Sequence, residues 1–219
     1  MKLQEKAAKL SATVFVGGPV GLFETGGRRQ FALLLNDGLY PDSKVLDIGC
    51  GCLRAGYWLI HFLRPGCYFG IEPETPMLEA GIGELLEPGL IEEKQPRFDN
   101  NSRFDFSVFG QMFDFMIARS IWTHAAKSHI RLMLDSFVAN STPTGILLTS
   151  YNRASLRRRD YGGDQWVGRS HESDEPGKVF HSFRWIRNEC SQRQLAVEEI
   201  REPAYDFGWQ TWLRIRRGR

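Results

Sequence analysis

The stretch Val45-Leu46-Asp47-Ile48-Gly49-Cys50-Gly51-Cys52-Leu53-Arg54-Ala55-Gly56 decides the reading of this chain. Val45, Leu46 and Ile48 read as a short buried strand of a parallel sheet, and Tyr57, Trp58, Leu59, Ile60, Phe62 and Leu63 supply an apolar face for a helix directly after it. Between the two, Gly49 and Gly51 permit a tight turn and a close backbone approach to a ligand. The spacing is D-x-G-x-G, without the third glycine of a dinucleotide fingerprint and with an acid two residues ahead of the first glycine. That acid repels a phosphate and favours a cationic ligand.

A second landmark follows at Tyr68-Phe69-Gly70-Ile71-Glu72-Pro73, where another apolar strand ends in a carboxylate 25 positions after Asp47. A carboxylate at a strand end suits a ribose diol, because it accepts hydrogen bonds from both hydroxyls. Glycine turn and strand-end acid together resemble the first two motifs of the class I S-adenosylmethionine-dependent methyltransferases. The resemblance implies S-adenosyl-L-methionine as cofactor, with contacts from Asp47, Gly49, Gly51, Leu53, Glu72, Pro73, Arg119 and Ser120.

Outward from these motifs, strand and helix alternate. Helical spacing covers residues 76–86, a short third strand is expected at 96–99, and aromatic and β-branched residues mark a fourth strand at 113–118. A helix over 127–140, a fifth strand at 146–151 after the turn Thr142-Pro143-Thr144-Gly145, a helix from 183 to about 194 and strands at 195–200 and 209–215 complete the pattern. The prediction is an α/β fold, Rossmann-like and doubly wound, with a mostly parallel seven-stranded sheet and an antiparallel C-terminal hairpin strand. At 219 residues this is one domain, large enough to bury its core without disulfides. Residues 1–40 hold a short amphipathic start, a loop rich in glycine and a helix over 28–36; the resemblance implies a lid over the cofactor, against a plain surface helix. Residues 152–181 are polar, glycine-bearing and without period. A loop of that length reads as a substrate-covering insertion or a surface excursion.

In the resembling family an acid followed by an apolar residue ahead of the fourth strand meets adenine. Asp105 and Phe106 match that element, with Asp99 competing for the acid and ordinary core burial as the alternative for Phe106. Arg119-Ser120-Ile121-Trp122-Thr123-His124 follows the fourth strand at the edge where open sheets place ligands. A sulfonium methyl is already activated, so the chain mainly has to position acceptor and methyl carbon in line and exclude water. For a hydroxyl acceptor His124 is the first candidate base, set against a role in bonding its own loop. Tyr151, His171 and His181 stand behind it. Arg119 suits a carboxylate of substrate or cofactor, or a salt bridge at the strand edge.

The sequence lacks the N-P-P-Y tetrapeptide of many adenine and glutamine methyltransferases and the acidic set of the magnesium-dependent catechol type. The expected substrate is therefore a small hydroxyl, amine or carboxyl compound of specialised metabolism. Two alternatives stay open: a reaction on the same fold that cyclises the cofactor to azetidine-2-carboxylate or transfers its aminocarboxypropyl group, releasing methylthioadenosine, and a binding module without turnover. The C-x-C pair of Cys50 and Cys52 is poor metal spacing, so no metal is expected, and four cysteines without an evident pairing suit a reducing compartment. With no long apolar run, no leader pattern and a net charge of +2, the expectation is a cytoplasmic protein with no membrane contact and with nucleic acid an improbable partner. A homodimer is left open.

Overall fold

The computed structural model describes residues 2–169, 176–201 and 209–218, and the chain divides into two units, residues 1–101 and 102–219. In the first, β1 (Val45–Ile48) is buried at all four positions, as is β2 (Tyr68–Ile71). The two run parallel with Val45 opposite Tyr68 and Ile48 opposite Ile71. β3 (Arg97–Asp99) adds in parallel on the other side of β2. Continuous apolar runs become strands here because β1 and β2 are buried on both faces; the helices of this unit are α1 (Leu3–Leu10), α2 (Phe23–Asn36), α3 (Gly56–Phe62), α4 (Thr75–Leu85) and α5 (Leu90–Lys94).

The second unit holds β4 (Phe113–Ala118), α6 (Lys127–Asn140), β5 (Ser141–Tyr151), α7 (Phe183–Gln192), β6 (Leu195–Ile200) and β7 (Thr211–Arg217). β4 and β5 are parallel, whereas β7 is antiparallel to both β5 and β6. All seven strands form one sheet in the order β3-β2-β1-β4-β5-β7-β6. This is the doubly wound sheet with an antiparallel C-terminal strand that the alternation of elements predicts.

Two boundaries differ from expectation for a clear physical reason. α2 starts at Phe23 rather than near Arg28, because Gly26 and Gly27 belong to the helix and are buried. A Cβ at Gly27 would overlap the Arg54 carbonyl oxygen and approach Trp58 Nε1 to 3.0 Å, so glycine serves a close helix approach, not a turn. β5 starts at Ser141 rather than after Gly145: Ser141 pairs with Phe113, and the register shifts before Ile146 pairs with Phe115. An irregular strand thus absorbs the Thr-Pro-Thr-Gly run read as a turn. α5 occupies residues left unassigned in the sequence. His171 and residues 202–208, between the expected strands at 195–200 and 209–215, lie outside the described residues.

Candidate functional site

In the first unit, the glycine turn is built from alternating left-handed residues, Gly49 (φ 70°), Gly51 (φ 55°) and Leu53 (φ 61°). Glycine takes this conformation without cost; Leu53 adopts it with a side chain that is fully buried. The turn is stitched to the end of β2 by Gly49 N–H and Cys50 N–H, both donating to the Ile71 carbonyl (2.8 and 3.1 Å). Gly51 N–H donates to Glu72 Oε2 (2.8 Å), and Glu74 N–H donates to Glu72 Oε1 (3.0 Å). Both carboxylate oxygens are thereby fixed by backbone donors, which orients the carboxylate at the end of β2. A Cβ at Gly51 would stand 2.8 Å from Met77 Cε and 4.0 Å from Glu72 Oε2, so the missing side chain opens the space beside that carboxylate. Pro73 continues the same edge, half-buried.

Asp47 lies beneath this turn, 5 % exposed. It accepts a hydrogen bond from the Tyr68 hydroxyl (3.0 Å), a partner that sequence reasoning missed because a strand tyrosine reads as core. Burial pushes the Asp47 carboxyl up to about 7, with the Tyr68 hydrogen bond opposing and Glu72 adding to the rise. A carboxyl poised near neutrality under a ligand-shaped turn is charged most readily by a neighbouring cation. The third acid, Asp99, accepts from Asn101 N–H and Nδ2 (2.8 and 2.6 Å), while its carbonyl accepts from Glu72 N–H (3.0 Å). Asn100 Nδ2 donates to the Glu72 carbonyl (2.8 Å). Asp99 and Asn100 therefore border the Glu72 end of β2.

The N-terminal residues pack on the same turn. Arg54, 7 % exposed, donates from Nη2 to the Val16 carbonyl (3.1 Å) and lies over the Phe23 ring at 5.1 Å. Cys52 Sγ donates to the Phe15 carbonyl (3.5 Å). Val16, Phe23 and Cys52 share an apolar cluster with Leu3, Ala7 and Leu10 of α1. Burial drives the Cys50 thiol up and the Cys52 thiol to about 12, so both are neutral thiols lining the turn. Arg54 is the second residue missed: sequence shows a basic residue after a glycine turn, and nothing in its spacing tells that the guanidinium is enclosed.

In the second unit, Arg119 and Ser120 directly follow β4. Burial lowers the Arg119 pKa, a mark of a guanidinium partly withdrawn from water. Ser120 is left-handed (φ 63°), and local bonds hold it there. Its N–H donates to Ser150 Oγ (2.9 Å), its carbonyl accepts from Thr123 Oγ1 (2.7 Å), and its hydroxyl accepts from Gln210 Nε2 (2.8 Å). Ser150 Oγ in turn donates to Gln210 Oε1 (2.7 Å). A strained residue within a closed polar network at the carboxyl end of β4 and β5 fits a ligand-holding edge. Ser150 and Gln210 were not singled out in the sequence, since a strand serine and a glutamine after a turn carry no pattern.

The remaining candidates are engaged with the protein itself. His124 Nδ1 donates to the Val167 carbonyl (2.8 Å) and its ring stacks on Trp166 at 5.9 Å; burial lowers its pKa against the raising effect of the Val167 and Gly177 carbonyls. A Cβ at Gly168 would overlap that imidazole. His181, fully buried, donates from Nε2 to the Ala125 carbonyl (3.0 Å), and its pKa too is lowered by burial. The described part of residues 152–181 is thus bound onto the segment after β4, with Val167 N–H donating to the His124 carbonyl and Val179 N–H to the Thr123 carbonyl (2.9 and 2.8 Å). The Tyr151 hydroxyl donates to Glu199, and burial raises its pKa further, so its proton is committed to β6. Asp105 accepts from Ser107 N–H and Oγ (3.0 and 2.5 Å), closing a turn, and Phe106 is fully buried. That burial accords with the core role held open for Phe106 beside adenine packing.

No protein-family model matches the chain, and no curated protein matches it. Solved structures do. The chain is similar to DhpI in complex with SAH, at 14% identity and a TM-score of 0.61 over 99% of this chain and 93% of that one. It is similar to magnesium protoporphyrin IX methyltransferase from Synechocystis PCC 6803 with bound SAH, at 16% identity and a TM-score of 0.63 over 98% and 94%. A third is the glycopeptide N-methyltransferase MtfA complexed with S-adenosyl-L-methionine, at 13% identity and a TM-score of 0.62 over 87% and 94%. Over nearly its whole length, the chain has the fold of the class I S-adenosylmethionine-dependent methyltransferases.

Proposed function

We propose that the protein binds S-adenosylmethionine at the β1 turn and the end of β2 and transfers its methyl group to a small-molecule acceptor. The observation that carries this reading is the Glu72 carboxylate, fixed by Gly51 N–H and Glu74 N–H (2.8 and 3.0 Å) beside a turn kept open by glycine. When bound, the cofactor supplies an electrophilic methyl on a sulfonium. The chain's part is to hold and orient. Glu72 takes the ribose diol, Gly49 and Gly51 let the nucleoside lie against backbone, and the Asp47 charge favours the cationic amino acid end. The Ser120, Ser150 and Gln210 network presents hydroxyl and amide groups to the acceptor, with Arg119 as the cation for a carboxylate. His124, tied to Val167, serves to fix the acceptor-side loop; positioning rather than proton transfer dominates the chemistry.

Isothermal calorimetry tests the cofactor site. Asp47→Ala and Glu72→Ala are each expected to weaken S-adenosylmethionine binding at least tenfold, about 1.4 kcal/mol, with circular dichroism unchanged. Unaltered affinity in both folded variants rejects the site. Incubation of the protein with S-adenosylmethionine alone, followed by mass spectrometry, tests the reaction: methylthioadenosine above an enzyme-free control replaces methyl transfer with cyclisation or aminocarboxypropyl transfer.

A further inference from the structure

The second unit carries an open cavity of about 410 Å³, lined by Arg153, Arg184 and Arg187 with Ser155, Asp160 and Phe183. Arg184 and Arg187 stand one turn apart on the exposed face of α7, where like charges at this spacing repel. Among the described residues neither has an ion-pair partner, in contrast to the arginines around them. Arg193 is bound by Asp135 (2.6 Å) and Glu189 (3.0 Å), Arg131 by Glu189 (2.8 Å) and Arg214 by Glu198 (2.8 Å). Arg153 is held in place by Glu199 (2.6 Å) and lies over the Phe183 ring at 5.9 Å.

The one acid on the cavity wall is already satisfied. Asp160 Oδ1 accepts from Ser182 N–H (3.0 Å) and Oδ2 from Lys127 Nζ (2.8 Å). Beside the cavity, Ser155 and Arg158 close a tight hairpin with paired backbone bonds (2.8 and 3.1 Å), and Arg158 lies over the Phe180 ring at 5.1 Å. A chain of net charge +2 thus places three arginines, Arg153, Arg184 and Arg187, on one cavity wall. The aromatic faces there are covered by the chain's own cations: Phe180 by Arg158, Phe183 by Arg153, and Trp185 by Lys127 and Arg131. The one ring on the cavity wall, Phe183, already lies under Arg153, which disfavours base stacking there and with it single-stranded nucleic acid. A concave site with several planar guanidinium forks and no open aromatic face matches a compact, multiply charged oxyanion.

We propose that this cavity is a binding site for a phosphoryl group, held by Arg184 and Arg187 with Arg153 as the fixed third contact. Arg153 lies two residues beyond the carboxyl end of β5, so the site sits on the ligand-bearing edge of that strand. It stands independently of the S-adenosylmethionine reading. The same dianion is offered by a free phosphate ester and by a phosphoserine side chain of a partner.

The test is calorimetric titration with phenyl phosphate and, separately, with a short phosphoserine peptide in low salt. One-to-one binding of either probe is expected, falling at least tenfold in the Arg184→Gln/Arg187→Gln double variant and less in Arg184→Lys/Arg187→Lys, which keeps charge but loses the fork. The control Arg28→Gln/Arg29→Gln removes equal charge from α2. Tighter binding of the ester identifies a small-molecule ligand, and tighter binding of the peptide identifies a phosphorylated partner. Binding of neither probe, or equal loss in the α2 control, overturns the site. Because the substituted arginines are exposed, an unchanged melting curve separates lost binding from lost fold.

Discussion

Asp47 shows how a single residue exchanges stability for ligand charge. Its carboxyl is pushed from the usual 3.8 up to about 7, so the folded state holds the proton more tightly than the unfolded chain. The contribution is full below about pH 4, is lost as pH rises to about 7 and is flat above that; its size is on the order of 4 kcal/mol at most. Asp47→Asn keeps an acceptor for the Tyr68 hydroxyl and removes the titration. The expected result in urea unfolding is that the variant's advantage over the parent grows between pH 4 and 7 and then levels off. Calorimetry completes the test: S-adenosylmethionine affinity of the parent should rise as pH passes through 7, whereas that of Asp47→Asn should not change. Ser120 stores a second local cost, in its left-handed backbone (φ 63°). Ser120→Gly gives up the hydroxyl bonds to Gln210 but relieves the backbone, so stability should move by less than about 1 kcal/mol. Ser120→Ala loses the bonds and keeps the strain, and should cost about 1–2 kcal/mol in the same unfolding measurement.

At the scale of elements, the same residue type carries opposite meanings that only packing separates. Gly27 and Gly83 are both helical, although in the sequence Gly27 reads as part of a loop and Gly83 as part of a helix. Gly27 lies where α2 passes over the Arg54 carbonyl, with Trp58 Nε1 3.0 Å from the position of a Cβ, while Gly83 in α4 has open space around it. Gly27→Ala should therefore destabilise by about 2–4 kcal/mol through overpacking. Gly83→Ala should stabilise by about 0.5–1 kcal/mol through lost unfolded-state entropy. Thermal unfolding of the pair measures both, and a stabilised Gly27→Ala would refute the close approach. This ambiguity is why the start of α2 was misplaced in the sequence: glycine announces a special backbone requirement but not whether a turn or a neighbour imposes it. The strands were legible because apolar runs with both faces covered have few alternatives. The β5 irregularity was not, because Thr142-Pro143-Thr144-Gly145 satisfies turn chemistry equally well.

For the whole molecule, the alternation of strands and helices and the turn at Gly49 and Gly51 follow from patterns carried within a few consecutive residues, and these were readable. What stayed hidden depends on residues far apart in the chain: the Tyr68 hydroxyl on Asp47, separated by 21 positions, and Gln210 on Ser120, separated by 90. Such pairs have no local signature, and they decide which candidates are free to act. Tyr151 and His124 looked available in the sequence and are bound to Glu199 and the Val167 carbonyl. If the turn is the nucleoside site, ligand binding must appear as stability of the fold, since only the folded chain brings Gly51 N–H to Glu72 (2.8 Å). S-adenosylmethionine at one hundred times its dissociation constant should add about 2.7 kcal/mol, which raises the midpoint of a chain this size by roughly 5–11 °C. Scanning calorimetry with and without the nucleoside reads this directly. Glu72→Gln should melt as a folded protein yet lose most of that rise at the same concentration, because an amide replaces the second charged acceptor for the diol. An undiminished rise in Glu72→Gln would place the nucleoside elsewhere on the sheet.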